Sequence, residues 1–220
     1  MKLAIFNGSP RRTKSNSTLL IKHFLKGYSN YDNTNIDIHY LADTSKNHLH
    51  IKEFAEADTV IIIFPLYTDA MPGQVKYFFE SLENIDLSGK NAGFIVQSGF
   101  PEAYHSIFIE KYLEKFSRRM KWNYLGTVIK GGVEGIQIMP PSMTRKLFTN
   151  FEKLGEYFAQ TGEFDPAVMK KLRKPYRLNF TGRLFLRLMI TTGLNNYYWN
   201  SKLKANHAYE KRFAQPYVRQ

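Results

Sequence analysis

No cysteine occurs anywhere in the 220 residues. That absence removes disulfides, thiol nucleophiles, cysteine-ligated zinc and iron–sulfur clusters in one step. Long uncharged apolar runs are missing too, so no segment has the length to span a bilayer. A strand pattern that begins at residue 2 leaves no room for a signal peptide, and the expected location is cytoplasmic. The six histidines show no metal-ligand spacing, so no metal is expected; His48 and His50 fall in a stretch that reads as a surface loop. Acidic residues are scarce at one end of the chain. Residues 165–220 hold twelve Lys or Arg against two Asp or Glu, a net charge of +10, whereas residues 1–164 carry only +2. A basic tail suits nucleic acid, anionic lipid or an anionic substrate. No nucleic-acid-binding motif accompanies it, so nucleic acid is not an expected partner.

What is present is a core-forming composition, 43% hydrophobic with 17 Phe and 14 Tyr, arranged in alternating patterns. Strands are predicted at 2–6, 35–41, 59–64, 92–97 and 124–129. Helices are predicted at 18–28, 72–82, 102–120 and 142–160, the last with Ser142 as its N-cap. The run Thr-Val-Ile-Ile-Ile-Phe at 59–64 is β-branched throughout, as in a strand buried on both faces. The 35–41 segment alternates and reads as a half-exposed edge strand. Five strands interleaved with helices imply an α/β fold with a doubly wound, five-stranded parallel sheet. Ligands of such sheets bind beyond the carboxyl ends of the strands, near the point where strand order reverses. The loops at 7–18, 65–72, 98–105 and 130–141 are therefore the ones that carry chemistry.

The first of these loops, Asn7-Gly8-Ser9-Pro10-Arg11-Arg12-Thr13-Lys14-Ser15-Asn16-Ser17-Thr18, brings three serines and two threonines to a helix start. Unpaired N–H groups and the helix dipole there favour an anion. The loop lacks both Gly-x-x-x-x-Gly-Lys-Ser/Thr and Gly-x-Gly-x-x-Gly, which argues against a nucleoside triphosphate or a dinucleotide. Two readings stand: a monophosphate cradle, or a polar loop that caps a helix. The second loop, Pro65-Leu66-Tyr67-Thr68-Asp69-Ala70-Met71-Pro72-Gly73, is rigid, aromatic and apolar; it suits either a flat heterocycle or a turn packed on its own sheet. In the third, Ser98-Gly99-Phe100-Pro101, glycine allows close backbone approach. The fourth, Lys130-Gly131-Gly132-Val133-Glu134-Gly135, reads as a wall or a subunit contact. Asp69, Glu102 and Glu134 are acidic but read as solvated loop carboxylates, so no catalytic side chain is named.

Gly8-Ser9-Pro10-Arg11 with Ser15-Asn16-Ser17, Pro65-Leu66-Tyr67 with Met71-Pro72-Gly73 and Lys76, and Ser98-Gly99-Phe100-Pro101-Glu102 resemble the three cofactor loops of flavodoxin-like NAD(P)H-dependent FMN reductases. The resemblance covers about residues 1–160. It implies an FMN-binding oxidoreductase that uses NAD(P)H as co-substrate and reduces a small electron acceptor such as a quinone or flavin. It implies that Ser9, Ser15, Asn16 and Ser17 hold the FMN phosphate with Arg11 beside it. Pro65, Leu66, Tyr67, Thr68 and Met71 would line one side of the isoalloxazine, and Ser98, Gly99 and Phe100 would meet its other edge. Ser15 departs from the glycine that relatives often carry. Other readings of the same loops are a non-enzymatic, flavodoxin-type electron carrier and a membrane-surface protein that retains the fold.

The domain division expected from charge is a 1–164 FMN-binding domain and a 165–220 basic helical C-terminal extension, starting at Asp165-Pro166 and packed on the body or on the mate of a homodimer. Within it, 178–194 reads as a helix with a polar stripe of Asn179, Arg183, Arg187 and Thr191 on an otherwise apolar surface. Peripheral contact with an anionic membrane, with Lys170, Lys171, Arg173, Lys174 and Arg177 at the head groups, is the second reading of this segment. Tyr197-Tyr198-Trp199 reads as core packing, a flavin cover or a membrane-interface mark.

Overall fold

The structure is a computed structural model that describes residues 2–32, 34–193 and 196–218, without the side chain of Tyr198. The expectations for Leu194 and for the Tyr198 ring lie outside the described residues. Packing divides the chain into two compact units, Met1–Arg177 and Leu178–Gln220.

The first unit holds five strands, β1 (Leu3–Asn7), β2 (Ile38–Tyr40), β3 (Thr59–Pro65), β4 (Asn91–Gln97) and β5 (Asn123–Lys130). They pair in parallel in the order β2-β1-β3-β4-β5, the parallel sheet that the alternating sequence predicts. Successive residues of each central strand serve opposite faces. Ala4, Phe6, Val60, Ile62, Phe64, Phe94 and Val96 point into one core with α2 (Asn47–Glu56), α3 (Gly73–Ser81) and α4 (Ile107–Arg119). Leu3, Ile5, Ile61, Ile63, Ile95 and Val128 point into the other, with α1 (Asn16–Tyr28), α5 (Pro141–Thr161) and α6 (Pro166–Leu172). Burial on both faces is why β1, β3 and β4 have unbroken apolar sequences.

Three local expectations are corrected. A helix, α2, occupies part of the stretch read as a surface loop. His50 lies on it and is buried, at 6% exposure. Neither of its ring nitrogens has a hydrogen-bond partner. Burial lowers its pKa, and the nearby backbone of Asp43 and Tyr40 opposes that shift without reaching hydrogen-bond geometry. The neutral imidazole serves here as a core side chain, in edge contact with His39. His48 is exposed, as expected. The helix predicted at 102–120 begins with a 3₁₀ turn, Ala103–Ser106, before α4. Ser142 is not an N-cap: Pro140 holds that place and Pro141 is the first helical residue, where a missing N–H costs nothing.

The start of α6 is as predicted, with the Asp165 carboxylate accepting from the Ala167 and Val168 N–H groups at 2.7 and 3.3 Å. Val168 and Leu172 are buried in the core, so the first unit runs past the charge-based boundary to Arg177. The second unit contains α7 (Phe180–Thr191), capped by the Asn179 side chain, and α8 (Tyr197–Ala205). No residue of α7 is buried: Phe180, Leu184, Phe185, Leu188 and Ile190 are all exposed. Tyr197 and Trp199 are exposed as well, which contradicts core packing for these two rings. Among the described residues, no helix is long and apolar enough to cross a membrane.

Candidate functional site

The strand order places the carboxyl ends of β1 and β3 side by side, with β2 on the other flank of β1. The loop after β1 begins with a close approach. A Cβ on Gly8 would lie 2.2 Å from Val75 Cγ2, so only glycine lets the loop pass α3. The Gly8 carbonyl accepts from Gln74 Nε2 at 2.8 Å, and its N–H donates to the Ile63 carbonyl at 2.8 Å.

Asn7, fully buried, organises the rest of the loop. Its Oδ1 accepts from the Ser9 N–H at 2.9 Å, and its Nδ2 donates to Thr18 Oγ1 at 2.9 Å and to Ser15 Oγ at 3.3 Å. Ser15 is the N-cap of α1: its Oγ accepts from the Thr18 N–H at 3.1 Å and donates to the Arg12 carbonyl at 2.7 Å. Arg12 takes a left-handed φ of 49°, a strained turn for a non-glycine residue. The backbone N–H groups of Asn16 and Ser17 have no acceptor among the described hydrogen bonds. Two free donors at the positive end of a helix, with the buried Ser9 hydroxyl nearby, have the chemistry to hold an anion.

The Asn16 side chain is engaged by another loop. Its Nδ2 donates to the Val133 and Glu134 carbonyls at 2.7 and 3.2 Å, and its Oδ1 accepts from Gln137 at 2.8 Å. Gln137 also donates to the Lys14 carbonyl at 3.0 Å. The β5–α5 loop is thereby fastened onto the β1–α1 loop. Arg11 adds an ion pair to Glu134 at 2.7 Å, with both side chains about a third exposed or more.

The β3–α3 loop reverses in a two-residue turn. Tyr67 and Ala70 exchange both backbone hydrogen bonds, at 2.9 and 3.0 Å, and Thr68 and Asp69 take φ of 50° and 62°. Left-handed backbone at two non-glycine residues is strain of the kind that gathers at functional sites. The β4 loop is held by the Ser98 N–H on the Lys130 carbonyl at 3.0 Å and by the Gly132 N–H on the Phe100 carbonyl at 2.8 Å. The Phe100 ring stacks on His105 at 4.5 Å. His105 lies 3.9 Å from Asp69 and 3.6 Å from Glu102, linking the second and third loops.

One cleft gathers Ser9, Arg11, Asn16, Pro65, Leu66, Tyr67, Ser98 and Gly99 from the sequence-predicted set. It adds Gln97 and Glu134, which that set omits. Its enclosed volume is only about 20 Å³. Ser15 and Ser17 are buried and do not line it: Ser15 borders a separate cavity with Thr18 and Gln137, and Ser17 Oγ is 3.5 Å from Gln97 Nε2. Thr68 sits on the exposed turn. Met71 instead lines a separate cavity of about 280 Å³ with Phe108, Ile109 and Tyr112. Asn7, Thr18 and Gln137 are contributors that residue type alone does not single out, because each acts by holding a neighbouring loop. Among the described residues, no three of His, Asp and Glu gather as a metal site would need.

The chain belongs to the family described as having a flavodoxin-like fold, whose model matches residues 1–147. Solved structures extend the likeness. A protein from P. pentosaceus described as an NADPH-quinone reductase is 18% identical, covering 70% of this chain and 96% of its own, with a TM-score of 0.55. An FMN-dependent NADH-azoreductase from Bacillus anthracis, solved with FMN, is 18% identical over 72% of this chain and 100% of its own, at TM-score 0.53. An NAD(P)H:quinone oxidoreductase from Methanothermobacter marburgensis is 14% identical over 71% and 96%, at TM-score 0.56. At these identities the likeness is one of fold. No curated protein matches the chain.

Proposed function

We propose that the chain is an FMN-binding oxidoreductase. The observation that carries this reading is the convergence, in one cleft, of the helix start at Asn16 with the Leu66–Tyr67 and Ser98–Gly99 loops. The names of the structural neighbours, among them an FMN-bound azoreductase and two quinone reductases, support it. In this reading the Asn16 and Ser17 N–H groups and the Ser9 hydroxyl hold the phosphate, with Arg11 beside them. The Ser15 and Ser17 side chains act indirectly, Ser15 by capping the helix start and Ser17 beside Gln97 at the end of β4. Pro65, Leu66, Tyr67, Ser98, Gly99 and Phe100 border the ring, with Thr68 and Met71 further out along the second loop. Bound FMN supplies two-electron redox chemistry between NAD(P)H and a small acceptor such as a quinone or flavin. The chain's own contribution is binding, orientation and exclusion of water.

The cleft encloses only about 20 Å³, so a flavin would lie along its open mouth rather than inside it. The Arg11–Glu134 pair borders the cleft, and an exposed ion pair of this kind is worth about 1 kcal/mol or less. A phosphate at the helix start then takes Arg11 from Glu134. Glu134→Gln is expected to tighten FMN binding about threefold to tenfold, measured by quenching of flavin fluorescence. Weaker binding in the variant would show that Glu134 helps rather than competes.

The activity is tested by anaerobic mixing of the FMN-loaded chain with NADH and with NADPH. Rapid bleaching of the flavin bands by one of them is expected. Reduction only by a protein donor would identify an electron carrier instead.

For the second unit we infer peripheral contact with an anionic lipid surface. Residues 178–220 carry seven basic side chains and one acidic, a net charge of +6. The exposed apolar side chains of α7 lie in the same unit. Charge and apolar area together are what an interfacial helix requires. The chain is expected to sediment with vesicles of phosphatidylserine and phosphatidylcholine, and a Phe185→Glu, Leu188→Glu double variant is expected to lose at least tenfold in binding. Negligible binding of the parent, or a stable dimer that hides α7, would overturn the inference.

A further inference from the structure

A second cavity in the first unit has no part in the proposed flavin chemistry. Its volume is about 580 Å³, and four lysines line it: Lys130 from the end of β5, Lys146 from α5, Lys171 from α6 and Lys174 just beyond. No Asp or Glu lines it among the described residues, and none of the four lysines forms a salt bridge there. Ile136, Met139, Leu147 and Leu172 supply apolar wall. The β5–α5 loop serves both places. Glu134 and Gln137 reach the β1–α1 loop, while Gly132, Ile136 and Met139 face the cavity.

Lys130 is the most informative of the four. It is only partly exposed, and burial alone lowers its pKa. An ammonium partly withdrawn from water with no carboxylate beside it carries a desolvation cost, which is offset when an anion binds next to it. The other three lysines, more exposed, add positive potential at the rim. The apolar wall favours a ligand body that leaves water, at roughly 25 cal/mol per Å² of area buried.

We propose that this cavity is a second ligand site, for a small amphiphilic anion: an apolar alkyl or aryl body carrying one acidic head group, seated with that head at Lys130. A flavin phosphate at the helix start of α1 and such an anion would be held by different groups, and the two sites would share only the loop between β5 and α5.

Calorimetric titration of the full chain, with FMN added, tests this with decanoate and its uncharged counterpart decanol. Decanoate is expected to bind saturably at one site, and decanol at least tenfold more weakly. Lys130→Met keeps much of the length and apolar stem of the side chain and leaves the backbone bond from Ser98 in place. It is expected to weaken decanoate at least tenfold without lowering the thermal midpoint. Met139→Trp, a change at a partly exposed wall position, fills the cavity and is expected to abolish binding. Equal binding of decanol and decanoate, unchanged decanoate affinity in Lys130→Met, or displacement of FMN by decanoate would each overturn the proposal. None of these outcomes depends on whether the chain turns over NAD(P)H.

Discussion

Gly155→Ala is expected to destabilise the first unit by about 3 kcal/mol, the upper part of the range for overpacked cores. A Cβ at this position would lie 1.9 Å from the Phe24 carbonyl oxygen of α1. The contact is reciprocal, since a Cβ on Gly27 would lie 1.8 Å from the Glu152 carbonyl oxygen of α5. Both obstacles are helix backbone, which has no rotamer to change, so the two helices must separate. Separation opens the packing of Phe24 on Phe158, whose rings sit 5.7 Å apart, and pulls His23 and Lys26 from Glu152, each now at 2.9 Å. Better helix propensity returns at most about 1 kcal/mol. For a unit of this size a loss of about 3 kcal/mol lowers the thermal midpoint by roughly 6–12 °C. Gly73→Ala is the control, because a Cβ there meets nothing within 4 Å. A Gly155→Ala midpoint equal to that of Gly73→Ala would mean that the helices do not cross on these glycines.

Asn7→Leu is expected to weaken FMN binding about a hundredfold, or about 2.7 kcal/mol. Leucine is close to asparagine in shape but offers neither the acceptor that holds the Ser9 N–H nor the donor to Thr18 and Ser15. Each buried polar group left without a partner costs about 1–3 kcal/mol. The loop escapes that cost by moving its polar groups toward water. The Ser9 hydroxyl and the start of α1 then lose their shared geometry, and with it the proposed anion site. Because Asn7 has no exposed surface, the effect is transmitted through the loop rather than by contact with ligand. Titration of flavin fluorescence measures it. An unchanged dissociation constant in a folded Asn7→Leu protein would show that Asn7 does not organise the anion site.

The legibility of these features in the sequence followed the range of the forces behind them. β1, β3 and β4 were readable because both faces of each are buried, so the apolar run is unbroken. The β2 strand is short and partly exposed, and its predicted span of 35–41 shrinks to three residues, Ile38–Tyr40. The helix α2 was hidden because Asn-His-Leu-His-Ile-Lys-Glu-Phe buries only His50 and Phe54, too few positions for a clear period. The glycine turn, the serines and the helix start of the β1–α1 loop could be read locally. The distribution of tasks within it could not. Asn16 has the residue type of a phosphate ligand, yet its amide is engaged by Val133, Glu134 and Gln137, far along the chain in the β5–α5 loop. The same distance hides Gly27 and Gly155, which look like ordinary helix glycines until α1 and α5 are brought together. The basic excess of the tail was plain, but charge did not locate the packing boundary, because Val168 and Leu172 bury α6 in the first unit.

The most direct test of the central claim is stoichiometric FMN binding by the intact chain. The protein is mixed with excess FMN, freed of unbound flavin by gel filtration, and its absorbance spectrum recorded. One flavin retained per chain is predicted, with loss of that flavin in Asn7→Leu. No retained flavin, and no quenching of FMN fluorescence on titration, would contradict the account.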